Sequence, residues 1–162
     1  HVGAVQSEYS LSTRFPELGL LQKTKKLETA FIAFSPVGRG LLTDKPPTPE
    51  RVKESPFLNV NPRFLEPNLS ENIKAVEGFQ KLAKDYGLST AGLAIAWLIA
   101  KDMHIIPIPG TRSTIHLKEM IKGTEKNLTQ TDINEIEKTL PVGWAHGDRY
   151  SDIQWIGPEK YC

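Results

Sequence analysis

Two turns in this sequence combine glycine with arginine, and both follow an apolar run. One is SPVGRG at residues 35–40, and the other is PGTR at residues 109–112. The first would expose backbone N–H groups beside Arg39, and the second would place a helix N-terminus beside Arg112, and both arrangements can cradle a phosphate. A polar segment, QSEYS at residues 6–10, follows a third apolar run. These residue types predict a phosphate-bearing ligand.

The apolar runs ahead of these segments predict three strands. They cover residues 2–6, 30–34 and 104–108. The run at 30–34 is apolar without alternation, which is typical of a parallel strand covered on both faces. Ligands of parallel α/β folds gather at the carboxyl ends of the strands. We therefore expect the two arginine-containing turns to lie at one edge of a parallel sheet.

Helical spacing of apolar residues predicts the first elements between the strands. We expect a helix over residues 14–28 and a second over residues 70–87, ending with Gly87 in a C-cap position. Ser89 or Thr90 can cap the next helix, and Trp97 lies in its apolar stripe. A tryptophan in such a stripe is more often a core residue than part of a ligand site.

The remaining segments are two helices, a loop and a tail. A short helix should end at Gly123, and a last one should begin at Thr129, where TQTD resembles a capping box. Residues 43–67 are rich in proline and predict a long loop, a kind of segment that is often functional. Residues 141–162 form a C-terminal tail of a single domain.

The alternation of strands and helices predicts a parallel α/β architecture. Three strands, however, leave two unpaired edges, so we expect part of a larger sheet or barrel. The chain opens at His1 and runs directly into a strand, as though it were cut from something longer.

Composition excludes several classes of partner. The net charge is +1 and the pI about 8.0, which gives no general attraction to nucleic acid or to an anionic membrane. The longest apolar run is shorter than the roughly 20 residues that cross a bilayer. Cys162 is the only cysteine, which fits a reducing compartment, and we expect a cytoplasmic protein. No spacing of side chains predicts a metal site.

Six sequence blocks in order resemble the C-terminal half of an aldo-keto reductase. They are VQSEYSL, AFSPVGRGLLT, NPRF, STAGLAIAWLIA, IPIPGTR and GDRY. The resemblance implies the C-terminal part of a (β/α)8 TIM barrel, with about three parallel strands and flanking helices, incomplete as given. It also implies NADP(H) as the cofactor and a small carbonyl compound as the substrate. The missing N-terminal half of the barrel would be a further partner.

The resemblance also implies a set of cofactor-binding residues. Gln6 matches the residue that bonds the nicotinamide carboxamide, and Phe34 stands where the family usually stacks a tyrosine on the ring. The pyrophosphate loop matches Ser35, Pro36, Val37, Gly38, Arg39 and Gly40. The turn for the adenosine 2′-phosphate matches Gly110, Thr111 and Arg112, with His116 and Glu119 further along the helix. The chain departs from the family at His116, often Arg or Gln, and at Met120, often Asn.

The family's catalytic Tyr, Lys, Asp and His come from the N-terminal half of the barrel. No counterpart is predicted here, since none of the four tyrosines lies in a motif that matches the catalytic tyrosine; they are Tyr9, Tyr86, Tyr150 and Tyr161. His104 begins a strand and His146 lies in the tail, so neither is predicted to be catalytic. We therefore interpret the chain as the cofactor-binding half of a carbonyl reductase, with no catalytic residues of its own.

Two alternatives remain open at this point. The parent could be a non-catalytic NADP-binding relative, similar to the potassium-channel β subunits, that acts as a redox-sensing partner. The chain could also be a truncated product with no stable fold. The sequence upstream of His1 would separate them, because a Tyr, Lys, Asp and His set at strand ends would indicate a reductase.

Overall fold

Three parallel strands form one sheet in the computed structural model, which describes residues 1–156. The strands are β1 (Ala4–Glu8), β2 (Ala30–Phe34) and β3 (Ile105–Ile108), in the order β1-β2-β3. The predicted parallel sheet is confirmed, although β1 begins and ends two residues later than expected. Residues 157–162, which include Tyr161 and Cys162, lie outside the described part, and so do the predictions made for them.

Six helices connect and cover the strands in the described part of the chain. They are α1 (Leu20–Lys26), α2 (Pro49–Glu54), α3 (Asn68–Asp85), α4 (Thr90–Lys101), α5 (Thr114–Thr124) and α6 (Gln130–Thr139). The predicted signals at helix ends are present. Gly87 follows α3 with a φ of +69°, the Ser89 side chain accepts a hydrogen bond from the Gly92 N–H, and Thr129 and Asp132 form the capping box of α6.

Two sequence predictions about these elements were wrong. Residues 14–28 are not one helix, because Gly19 adopts a φ of +152° and separates a 3-10 turn, Phe15–Leu18, from α1. The loop predicted for residues 43–67 contains α2 as well as two 3-10 turns. That helix starts because Thr48 accepts a hydrogen bond from the Arg51 N–H and Pro49 occupies the first turn, where a missing N–H costs nothing.

The two faces of the sheet differ in how they are covered. Phe31, Ala33 and Ile105 point to the helices and are buried in the main core together with Trp97, as predicted for that tryptophan. On the opposite face, Gln6, Ile32 and Ile106 lie in one register row. Ile106 is 47% exposed and Ile108 44%. Within residues 1–156, one edge of β1 and one edge of β3 have no strand partner.

The C-terminal tail folds back across the carboxyl end of β1. The Trp144 indole donates to the Leu11 carbonyl at 2.8 Å, and the His146 N–H donates to Asn72 Oδ1 at 2.7 Å. A buried Arg149 follows, close to the end of the strand. The tail therefore joins β1 and α3 beside the edge where the predicted site lies.

Candidate functional site

Two cavities with shared walls lie where β2 and β3 end. Their volumes are about 560 and 750 Å³. Val37 and Gly40, in the turn after β2, line both cavities, and so do Gly110, Thr111 and His116 from the segment after β3. The two turns that the sequence analysis selected therefore line the same space, although they are about seventy residues apart in the chain.

Most of the residues predicted to bind the cofactor line these cavities. They are Ser35, Pro36, Val37, Arg39, Gly40, Gly110, Thr111, Arg112, His116 and Glu119. Gln6 and Phe34 lie outside the cavities on the open face of the sheet, where Phe34 is two residues beyond the register partner of Gln6. Gly38 is buried beneath the turn, and a Cβ there would approach Ser12 Oγ to 2.9 Å.

The turn after β2 has an unusual backbone. Ser35, Gly38, Arg39 and Gly40 all have positive φ, at +51°, +58°, +56° and +99°. Hydrogen bonds from the Gly38 N–H to the Ser35 carbonyl, 2.9 Å, and from the Gly40 N–H to the Val37 carbonyl, 3.1 Å, close the turn. A left-handed conformation costs a non-glycine residue about 1–2 kcal/mol. Contacts elsewhere must therefore hold Ser35 and Arg39 in place.

The side chain of Arg39 supplies one such contact, which it makes with a carboxylate. Its guanidinium forms two bonds to the buried carboxylate of Glu8, at 2.6 and 3.2 Å. The side chain also stacks on the ring of Tyr150, with 4.5 Å from Cζ to the ring centroid. Arg39 therefore reaches the cavity as part of the turn, while its charge is engaged with Glu8.

The second turn leads into the first turn of α5. The Ser113 side chain caps this helix by accepting from the His116 N–H at 3.4 Å, and Thr111 Oγ1 accepts from the Ser113 N–H at 3.1 Å. Arg112 is exposed beside this helix N-terminus. A helix N-terminus and a guanidinium together favour an anion, because both present N–H donors and positive charge.

Sequence reasoning missed a third wall of the cavities, which residues 43–51 provide. The 560 Å³ cavity is lined on this side by Thr43, Lys45, Thr48 and Arg51. The segment is fixed because the Thr90 N–H and hydroxyl both donate to Asp44 Oδ1, the former at 3.1 Å. The signal that could have found it is Thr48-Pro49-Glu50, which is a helix start and places Arg51 in the first turn.

The lining side chains suit a ligand that carries phosphate groups. Lys45, Arg51 and Arg112 supply positive charge, whereas Asp44 and Glu119 supply negative charge. Asp44 is bonded to Thr90, at the start of α4. Guanidinium groups form short, charge-assisted bonds to phosphate oxygens. These donors therefore fit the phosphates of a dinucleotide.

The described tyrosines are engaged in other contacts. Tyr9 is fully buried and donates to Glu17 at 2.7 Å, and burial followed by the charge of Glu17 raises its pKa above the ordinary value. Tyr86 donates to Asp132 at 2.7 Å, and burial and this bond raise its pKa as well. Tyr150 stacks on Arg39. A phenol with a raised pKa beside a carboxylate is poorly placed to give up a proton.

Residues 1–156 contain no group of three or more His, Cys, Asp or Glu side chains that could hold a metal ion. None of their helices has both the length and the apolar character needed to cross a membrane.

Comparison with known proteins gives one consistent family. The sequence profile of the aldo/keto reductase family matches residues 1–141. A probable aldo-keto reductase 1 from Glycine max is 34% identical over 149 residues, covering 92% of this chain and 43% of that protein. The Schizosaccharomyces pombe aldo-keto reductase yakc [NADP(+)] is 30% identical over 152 residues, covering 92% of this chain and 45% of that protein.

A solved structure agrees with the fold. The glycerol dehydrogenase from Gluconobacter oxydans superimposes with a TM-score of 0.69 at 23% identity, covering 85% of this chain and 42% of that one. At this identity the likeness concerns the fold alone. The chain spans less than half the length of each of these three proteins.

Proposed function

The chain belongs to the aldo/keto reductase family of oxidoreductases, and on this premise we propose that it supplies the cofactor-binding half of an NADP(H)-dependent carbonyl reductase. The substrate would be an aldehyde or ketone that is reduced to an alcohol. The observation that carries the proposal is the pair of turns after β2 and β3, which line shared cavities together with Lys45 and Arg51. The name of the yeast relative, which includes NADP(+), agrees with this cofactor.

Each wall of the cavities has a distinct role in the proposal. The backbone of residues 35–40 would contact the pyrophosphate, and Arg112 would bond the adenosine 2′-phosphate beside the N-terminus of α5. His116 and Glu119 would lie near the adenosine. Since Arg51 lines both cavities, it would be a second phosphate contact. The preference for NADPH over NADH would then come from Arg112, because only NADPH carries the 2′-phosphate.

The nicotinamide would lie at the carboxyl end of the open face, beside the end of β2. Gln6 and Phe34 project from this face on neighbouring strands, so one ligand can contact both. Gln6 would bond the carboxamide, and the ring of Phe34 would hold one face of the nicotinamide. When bound, NADPH supplies the hydride that reduces the carbonyl carbon. The proton for the oxygen would come from outside this chain, because the described tyrosines are engaged elsewhere.

We propose that the strands of the first half pair with the free edges of β1 and β3 and close a barrel around the rest of the open face. Ile106 and Ile108 are about half exposed there, which is costly for isoleucine in water. We call the protein formed by this chain and a first half the complete barrel. The first half of the yeast relative, fused ahead of His1, is one way to make it.

The test is a fluorescence titration of the complete barrel with NADPH and with NADH. Arg112→Ala should weaken NADPH binding by about 1.5–3 kcal/mol, roughly tenfold to a hundredfold in Kd, and leave NADH nearly unchanged. Lys118→Ala is the matched control, since it removes an exposed cation from α5, the helix that follows Arg112, but outside the cavities. Equal losses for the two cofactors in Arg112→Ala would show that Arg112 does not bind the 2′-phosphate.

The non-catalytic alternative depends on residues outside this chain, because the family's proton donor comes from the first half of the barrel. Such a protein would bind NADPH as described and leave aldehydes unreduced. Turnover measurements on the complete protein with its own N-terminal sequence separate this alternative from a reductase.

A further inference from the structure

One carboxylate lies among three guanidinium groups at the end of β1. Glu8 is fully buried, and its oxygens lie 2.6 Å from Arg39, 3.5 Å from Arg149 and 3.9 Å from Arg63. Thr13 completes the set, because its hydroxyl donates to Glu8 Oε1 at 2.9 Å and accepts from Arg63 Nη1 at 2.8 Å. We call these five side chains the Glu8 cluster. Glu8 itself does not line either cavity.

The shortest contact in the cluster is to the residue with the unusual backbone. Arg39 binds both carboxylate oxygens of Glu8, and its guanidinium packs against the rings of Phe57 and Tyr150, with Cζ at 5.3 and 4.5 Å from their centroids. Arg39 is also the centre of the left-handed run from Gly38 to Gly40. Because this backbone conformation is unfavourable for arginine, the anchored side chain is what selects it.

The other two guanidiniums connect the same carboxylate to distant segments. Arg63 belongs to the 3-10 turn Pro62–Phe64, and Arg149 belongs to the C-terminal tail. The Arg149 carbonyl accepts from Arg39 Nη1 at 3.2 Å and from Asn61 Nδ2 at 2.7 Å. Glu8 is thus the common negative charge for the turn after β2, for the segment before α3 and for the tail.

From this arrangement we infer that Glu8 is a positioning residue for the cofactor site and acts through Arg39. It does not touch the ligand; it holds residues 38–40 in the conformation in which Gly40 lines both cavities. Without its charge, three guanidiniums would face one another without the carboxylate that now lies between them, and the left-handed turn would lose its anchor. The inference rests on the proposed function, since it assumes that this turn binds NADP(H).

The expected effect follows from the population of the binding-competent turn. If removing the charge of Glu8 leaves that turn populated in about a tenth of molecules, the apparent Kd for NADPH rises about tenfold. Glu8→Gln is the variant that removes the charge and keeps the shape. Glu137→Gln is the matched control, because Glu137 also bonds two cations, Arg14 at 3.0 Å and Lys101 at 2.8 Å, but lies outside the cavities.

The first experiment measures the turn without any ligand. Trypsin can cut after Arg39 when the turn opens, and it can cut after Lys126, in the exposed loop between α5 and α6, in every variant. In the complete barrel, Glu8→Gln should raise the cutting rate at Arg39 by at least about tenfold relative to Lys126, and Glu137→Gln should not. An unchanged ratio of the two rates would overturn the inference. If Glu8→Gln does not fold, Glu8→Asp, which keeps the charge at a shorter reach, should raise the same ratio by a smaller factor.

The second experiment measures NADPH affinity in a double-mutant cycle. Glu8→Gln alone should weaken NADPH binding about tenfold. In an Arg39→Met background, Glu8→Gln should weaken NADPH binding no further. A purely structural role of Glu8 would instead give additive losses, and that result would overturn the inference. The two proposals fail differently: a wild-type complete barrel that does not bind NADPH contradicts the proposed function, whereas faster cutting at Arg39 with unchanged affinity contradicts only the role of Glu8.

Discussion

At the crossing of α4 and α5, the structure determines both the direction and the size of the change in stability that one substitution should cause. At this crossing a Cβ on Gly123 would overlap the carbonyl oxygen of Gly92 and lie 2.8 Å from its Cα. Alanine at position 123 would gain about 1 kcal/mol of helix propensity. Overpacking costs about 1–3 kcal/mol, and the upper end applies because the obstructing atoms are backbone that cannot rotate away. We therefore expect Gly123→Ala to destabilise the complete barrel by about 2 kcal/mol.

Urea unfolding of the complete barrel measures this loss, and Gly78→Ala is the matched control. Gly78 is exposed on α3, and the nearest atom to a Cβ there, Thr139 Cγ2, lies at an ordinary 3.4 Å. The control should gain stability, by up to about 1 kcal/mol, because only the propensity changes. Since α5 begins at the turn that carries Arg112, Gly123→Ala should also weaken NADPH binding. Equal unfolding midpoints for the two variants would refute the reasoning.

Three further predictions concern other parts of the chain. The hydrogen bond with Lys25 lowers the pKa of Asp102 from 3.8 to about 2, so the bond stabilises the fold above pH 3.8 and this contribution is lost as the pH falls towards 2. The difference in urea midpoint between wild type and Asp102→Asn should therefore disappear across that window, and a constant difference would contradict the assignment. Tyr9→Phe should cost about 1 kcal/mol of stability, by loss of its bond to Glu17, and leave NADPH turnover unchanged; a large loss of turnover would show that Tyr9 takes part in catalysis. Without a first half, the chain should be aggregated, dimeric through its sheet edges or loosely ordered, because the open face forfeits burial; dispersed amide signals and a cooperative melt from a dilute monomer would contradict this.

Local signals explain which elements could be predicted from the sequence. β2 follows from the unalternated apolar run at residues 30–34, and the start of α6 follows from Thr129 and Asp132, which lie three residues apart. Helix α2 was missed because the prolines around it dominate the local composition, although Thr48 and Pro49 form a proper helix start. The split at Gly19 was missed because the apolar spacing continues across it.

The Glu8 cluster could not be predicted, because its members come from segments far apart in the chain. Glu8 and Arg39 are separated by 31 positions, and Asn61 bonds the Arg149 carbonyl across 88 positions. Nothing in the sequence around Arg63 or Arg149 indicates that these two side chains meet at Glu8. The same limitation affects Arg39, whose position in a glycine-rich turn suggests a phosphate contact, whereas its guanidinium is bonded to a carboxylate that only the fold brings near.

NADPH oxidation is the measurement that tests the central claim most directly. The decrease in NADPH absorbance would be followed with a panel of aldehydes and ketones, for the purified 162-residue chain and for the complete barrel. We expect no oxidation above the blank from the chain alone and clear turnover from the complete barrel, with Arg112→Ala raising the KM for NADPH. Turnover by the pure chain, or a complete barrel that neither binds nor oxidises NADPH, would contradict the claim that this chain is the cofactor-binding half of a reductase.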